Sequence, residues 1–429
     1  MTTYAILCLL AALALCTSLV ANRLKRLQET IAITGLALLI SLFILLVGKV
    51  FHGSLYSTFV VDLKQLEFKE LLLDGMLGFL LFAGALQIHF SILKKQRWEI
   101  FFLAFVGTLI STFVIGGIVY YVAQFIGHPL AFIYCLLFGS LISPTDPIAV
   151  LAIIKSLGAP DEVSIQVEGE SLFNDGIGLV IFVSLSKLAF STTPLTTMEV
   201  VGLFMQEAVG GIVFGGVLAY GLYRLLKLCD DSTQFLLISA LVPSAGYVLA
   251  DMLGVSGPLA MVSAGIIVGN FVVPKLTDET SSEVFEHFWL LIESFLNSLL
   301  FLLLGLLLLL VEFDKQLWWF MLLAVPIVLV GRTCGVYIPY FFFRRFKKYN
   351  SYAERILVWG GLRGGLAFAM AMSLPTGVML WGSANIDLRE LIMVMTYAVV
   401  LFSILVQGST VTGFINKSNE EDARTKSQQ

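Results

Sequence analysis

The stretch Phe138-Gly139-Ser140-Leu141-Ile142-Ser143-Pro144-Thr145-Asp146-Pro147-Ile148 sets two prolines around a Thr-Asp pair in the middle of an apolar run. Proline removes a helical N–H and clashes with the turn before it. The residue ahead of each proline is biased toward extended backbone. Ser143 and Asp146 are therefore expected to be extended, and a helix through this run is expected to break. A proline kink serving only packing would not need a carboxylate in the break.

The rest of the chain says where this break lies. Of 429 residues, 58% are hydrophobic and only 13% charged, against about 25% charged in a soluble protein. Such a chain needs lipid as its solvent. The formal net charge of −4 gives no footprint for nucleic acid. Cys8, Cys16, Cys135 and Cys334 sit inside apolar runs and Cys229 ends one, which makes neither a disulfide framework nor a CxxC metal pattern. His52, His89, His128 and His287 are scattered, none at ligand spacing. No basic residue precedes the first apolar run, so that run is expected to be a retained membrane segment rather than a secretory signal.

A membrane helix takes about 20 apolar residues. Thirteen spans are expected, over 4–21, 31–51, 71–92, 99–124, 130–154, 162–188, 200–228, 234–252, 257–274, 287–311, 316–343, 353–375 and 388–413, followed by a short polar tail. Alternate loops are basic. Eighteen of the 26 Lys and Arg fall on one side, in Arg23/Lys25/Arg26, Lys94/Lys95/Arg97, Lys155, Arg224/Lys227, Lys275, Arg344/Arg345/Lys347/Lys348/Arg355 and Lys417/Arg424/Lys426. Six fall on the other: Lys49, Lys64, Lys69, Lys187, Lys315 and Arg389. Positive charge stays in the cytoplasm, so the N-terminus is expected outside and the C-terminus inside.

Ionisable residues at bilayer depth are costly and usually functional. Besides Asp146 they are Glu170, Asp175, Arg332 and Arg363, with Glu293 nearer an end. The sixth span carries Glu168-Gly169-Glu170-Ser171-Leu172-Phe173-Asn174-Asp175. Helical spacing pairs Glu170 with Asn174 and Ser171 with Asp175. A stripe that only joined helices would favour Ser, Thr and Asn over two carboxylates. The twelfth span carries Trp359-Gly360-Gly361-Leu362-Arg363-Gly364-Gly365, whose glycines each weaken a helix by about 1 kcal/mol relative to Ala and allow unwinding. Spans 5 and 12 are seven apart, so they take equivalent places in two inverted six-span halves. Broken helices at matching places point to a transporter's midplane site.

A small hard cation such as Na⁺ needs oxygen ligands. Asp175 and Ser171 can supply them from one span, Thr145 and Asp146 from another. A carboxylate in low dielectric holds its proton more tightly, and one titrating near neutrality lets H⁺ and Na⁺ compete. Glu170 is expected to pair with Arg332 and to position Asn174. Arg363 is the alternative partner, or else reaches out to water at a membrane edge. Glu293 and Asn297, at i,i+4, are expected to serve helix packing or a rim hydrogen bond.

Three motifs in order, Ser143-Pro144-Thr145-Asp146-Pro147, Gly169-Glu170-Ser171-Leu172-Phe173-Asn174-Asp175 and Gly361-Leu362-Arg363-Gly364-Gly365, resemble the monovalent cation/proton antiporter-1 family, in particular its bacterial NhaP-type sodium/proton antiporters. The likeness covers nearly the whole chain, including Leu296-Asn297-Ser298-Leu299-Leu300-Phe301. It implies a homodimer in a bacterial inner membrane. It implies a core bundle over 99–190 and 312–413, the first part of a dimerisation domain over 1–98, a linker helix and the rest of the dimerisation domain over 191–311, and a cytoplasmic tail over 414–429. It implies that Asp175 carries the ion, helped by Ser171, Thr145 and Asp146, in electroneutral 1:1 exchange without a cofactor. Archaeal relatives carry a glutamate in span 3, where this chain has Phe82-Ala83-Gly84-Ala85-Leu86. An intramembrane aspartyl protease would need a Gly-x-Gly-Asp motif, which the chain lacks. K⁺/H⁺ exchange and a cation channel stay open as alternatives at this point.

Overall fold

The structure is a computed structural model that describes residues 3–24, 28–51, 70–146, 148–157, 161–191, 196–229, 232–276, 279–311, 317–347, 349–350, 352–381 and 386–427. Pro147 and the loop residues His52, Lys25, Arg26, Lys64, Lys69, Lys315 and Lys348 lie outside them.

The fold is almost wholly helical. The first half runs through α1 (Thr3–Arg23), α2 (Glu29–Phe51), α3 (Leu77–Leu86), α4 (Thr108–Phe125), α5 (Phe132–Ile142), α6 (Ile148–Leu157) and α7 (Asp161–Phe190). The second runs through α8 (Thr197–Leu226), α9 (Ser232–Ser239), α10 (Tyr247–Met252), α11 (Gly257–Ile267), α12 (Glu279–Leu306), α13 (Trp318–Phe343), α14 (Ala353–Trp359), α15 (Gly365–Met372), α16 (Leu388–Phe402) and α17 (Thr412–Ser427). A two-stranded hairpin, β1 (Met379–Leu380) with β2 (Ile386–Asp387), leads into α16.

Among the described residues, ten helical stretches are long and apolar enough to cross a membrane. The other three expected spans are shorter or interrupted. The run 71–92 gives α3 behind a π-helical stretch. The run 130–154 divides into α5 and α6, and 353–375 into α14 and α15. Pro144 and the glycines around Arg363 divide them. The run expected over 388–413 does not stop at a loose polar tail but continues into α17. That helix is tied down by Asn419 Nδ2 donating to Leu157 O at 2.8 Å and Asn350 Nδ2 donating to Ser418 O at 3.3 Å.

Helices approach through small residues, as they must where lipid supplies no hydrophobic drive to associate. A Cβ on Gly139 of α5 would overlap the Thr112 carbonyl of α4. Gly331 and Gly335 let α13 lie on Ile115 and Gly107. A second group packs α8 on α11, α11 on α3, and α12 on α2 and α1. Meanwhile α8 turns Met205, Val209, Val213 and Val217 outward. A face that apolar is a liability in water and the natural wall against lipid.

Candidate functional site

Two interrupted helices meet. The helix α5 ends at Ile142 and α6 begins at Ile148; α14 ends at Trp359 and α15 begins at Gly365. Between them, Asp146 N–H donates to Leu362 O at 2.8 Å in an isolated antiparallel bridge. Ser143 departs from expectation: it is helical, at φ −70° and ψ −38°. The effect of a following proline is a bias, and two bonds outweigh it here. Ser143 N–H and Oγ both donate to Gly139 O, at 3.1 and 2.6 Å.

Breaking a helix leaves carbonyls without partners and the negative end of a dipole inside the protein. Two arginines meet this need. Arg363, 2% exposed, donates from Nη1 to Ser143 O at 2.5 Å and Pro144 O at 2.6 Å, and its own N–H goes to Ser403 Oγ at 2.8 Å. It therefore neither pairs with Glu170 nor reaches out to water, because α5 ends in reach of its guanidinium. Arg332 does the same for α14, donating to Leu357 O from Nε at 3.2 Å and Nη2 at 2.9 Å. It also grips Glu170 with two N–H groups: Nη2 donates to Oε2 at 2.8 Å and Nη1 to Oε1. Gln407 Nε2 takes the Trp359 carbonyl at 3.1 Å.

Glycine is required where these pieces touch. A Cβ on Gly361 would sit 2.6 Å from Arg332 Nε, and one on Gly364 would strike the Asp146 carboxylate. Gly178 of α7 lies against the Pro144 ring with no room for a side chain.

The oxygen groups divide in two. Behind the crossing, Asn174 donates from Nδ2 to Thr145 Oγ1 at 2.9 Å and to Glu170 Oε1 at 3.3 Å, and accepts Thr145 N–H at 3.2 Å. Thr145 Oγ1 and Ser171 Oγ are 3.1 Å apart. In front, Asp146 and Asp175 line one cavity of about 290 Å³, along with Pro144 and Gly364. Asp146 Oδ1 also accepts the Ile148 N–H at 3.0 Å, capping α6. The two hydroxyls thus lie bonded to each other one layer behind the two carboxylates. Ala83 is fully buried; Gly84, one residue on, reaches the cavity wall.

The family model "Sodium/hydrogen exchanger, transmembrane" matches residues 8–417. The chain is 42% identical over 404 residues to the Na⁺/H⁺ antiporter NhaP of Pseudomonas aeruginosa, covering 92% of both chains. It is 36% identical over 359 residues to the Na⁺/H⁺ antiporter NhaH of Halobacillus aidingensis, covering 82% of this chain and 83% of that relative. The chain belongs to the sodium/hydrogen exchanger family. In fold it resembles the sodium proton antiporter MjNhaP1 of Methanocaldococcus jannaschii, with a TM-score of 0.73 at 20% identity, over 96% of this chain and 98% of that one.

Sequence reasoning missed some residues that hold this exchanger-family site together. Ser403 and Gln407 begin and end a π-helical turn after α16 and fasten the second broken segment. Two polar groups four apart in an apolar run were the available signal. The carbonyls of Ser143, Pro144 and Leu357 carry no side-chain signal at all.

Proposed function

We propose that the chain exchanges Na⁺ for H⁺ across the bacterial inner membrane, with Asp175 as the group for which the two ions compete. The observation that carries this reading is the placing of Asp146 and Asp175 on one cavity, directly at the crossing of two broken helices. A hard cation entering there meets two carboxylates. Thr145 and Ser171 can add hydroxyl oxygens once their mutual bond opens. Among the described residues the Asp175 carboxylate takes part in no hydrogen bond or ion pair, so cation or proton need not displace one. Glu170 is engaged by Arg332 and serves as the support behind Asn174. One carboxylate binding either one Na⁺ or one H⁺ gives electroneutral 1:1 exchange, provided the empty charged site does not cross.

On this reading thirteen crossings are counted, with α5–α6 and α14–α15 each passing once as broken helices in matching places of two inverted halves. The core bundle is 99–190 with 312–413, and 1–98 with 191–311 form the linker helix and the dimerisation part of a homodimer. The basic loops favour a periplasmic N-terminus and a cytoplasmic C-terminus. The small-residue contacts within the core and the lipid-like outer face of α8 fit this division.

The test uses inside-out vesicles from cells without their own antiporters, acidified by respiration and followed by a pH-sensitive dye. Added Na⁺ or Li⁺ is expected to collapse the gradient with the wild-type chain and not with Asp175→Asn. An equal response to K⁺ would move the selectivity. No response to any cation between about pH 6 and 9, with the protein in the membrane, would overturn exchange and favour a channel.

A further inference from the structure

A second cavity, of about 250 Å³, lies between the start of α2 and α12. It shares Gln87, Ile148 and Glu293 with the cavity at the helix crossing. Asn297 Oδ1 and Thr30 Oγ1, side-chain oxygens of residues on its wall, have no hydrogen-bond partner among the described residues. These residues are only 8% and 9% exposed. Buried polar atoms in folded proteins are almost always answered, and an amide oxygen can be answered only by a donor or a cation.

The same space is lined by two carboxylates. Glu29 accepts Ser18 Oγ–H at 2.5 Å, and Glu293 accepts Gln87 Nε2–H at 2.5 Å. Among the described residues, no Lys, Arg or His lines it. An anion would face two negative charges here. Carboxylate, amide and hydroxyl oxygens together form the hard donor set of an alkali or alkaline-earth cation, without the nitrogen and sulfur of a soft-metal site.

We propose that this cavity is a second monovalent-cation site, held by Asn297, Thr30 and Glu293, from which a cation passes to the transport cavity. The cation's identity rests on the exchange reading above. The proposed passage runs along the wall that the two cavities share. Glu293 and Gln87 border both cavities, and Ile148, which also borders both, donates its N–H to Asp146. A cation leaving Asn297 therefore stays beside a carboxylate until it meets Asp146 and Asp175.

Crystals of the full chain soaked in Tl⁺, a heavy monovalent surrogate, would show both sites as anomalous peaks. One peak is expected at Asp175 and a second against Asn297 Oδ1 and Thr30 Oγ1. Asp175→Asn should lose the first and keep the second. Asn297→Leu should lose the second and keep the first, and Asn297→Asp should retain or strengthen it. Absence of the second peak at a Tl⁺ concentration that fills the first would mean that only water occupies this cavity, and would overturn the proposal. Persistence of the second peak in Asn297→Leu combined with Thr30→Val would do the same. Absence of the peak at Asp175 with the second present would count against the transport-site reading instead.

Discussion

Asn174 holds three parts of the site with one amide: the backbone and hydroxyl of Thr145 and the carboxylate of Glu170. No other natural side chain of that length both donates and accepts in this way. Asn174→Ala leaves Thr145 free to drift from Ser171. The concentration of Na⁺ for half-maximal exchange is expected to rise roughly tenfold, equal to about 1.4 kcal/mol, with Asp175 still able to turn over; a cation titration in vesicles reads it. Thr145→Val, which keeps the shape and removes the hydroxyl, should act in the same direction. If neither variant shifts the titration, the layer behind the carboxylates is structural only.

Broken helices need partners for their ends, and two arginines supply the same solution twice. Arg363 takes the end of α5, and Arg332 takes the end of α14 while holding Glu170 on α7. Glu170→Gln leaves Arg332 with a buried charge uncompensated, expected to destabilise the fold by about 3–5 kcal/mol. Thermal unfolding of the purified chain in detergent would show the loss. The double variant Glu170→Gln with Arg332→Leu removes both charges and should lose less than either single change, as removing a buried pair together is often near neutral. Arg363→Leu should cut exchange at least tenfold, a barrier raised by about 1.4 kcal/mol or more. Arg363→Lys should recover only part of it, since an ammonium brings the charge without the planar fork. Full activity in Arg363→Leu would mean that the α5 end is answered by water.

At the scale of the molecule, the proposed orientation rests on the basic loops and puts α17 on the cytoplasmic side. With the five native cysteines replaced, Lys426→Cys is expected to react with a membrane-impermeant maleimide in inside-out vesicles and not in intact cells. Labelling in intact cells would reverse the whole topology.

Pro144 and the glycines from Gly360 to Gly365 announced both breaks, because their effect on a helix is local. Buried charge in an apolar run announced Asp146, Glu170, Asp175, Arg332 and Arg363, because lipid makes each of them costly. The i,i+4 spacing within α7 announced that Glu170 and Asn174 would touch. Such properties depend on a residue and its near neighbours, and sequence by itself determined them. Only the tertiary structure decided the rest. It chose Arg332 over Arg363 for Glu170 and gave Arg363 to the carbonyls of Ser143 and Pro144. It kept Ser143 helical against the bias of Pro144. It laid Asn297 and Glu293, which look like packing groups along α12, beside Thr30 of α2. Each of these depends on which backbone carbonyl or distant helix lies within about 3 Å of a side chain, and that distance is set by how the helices pack.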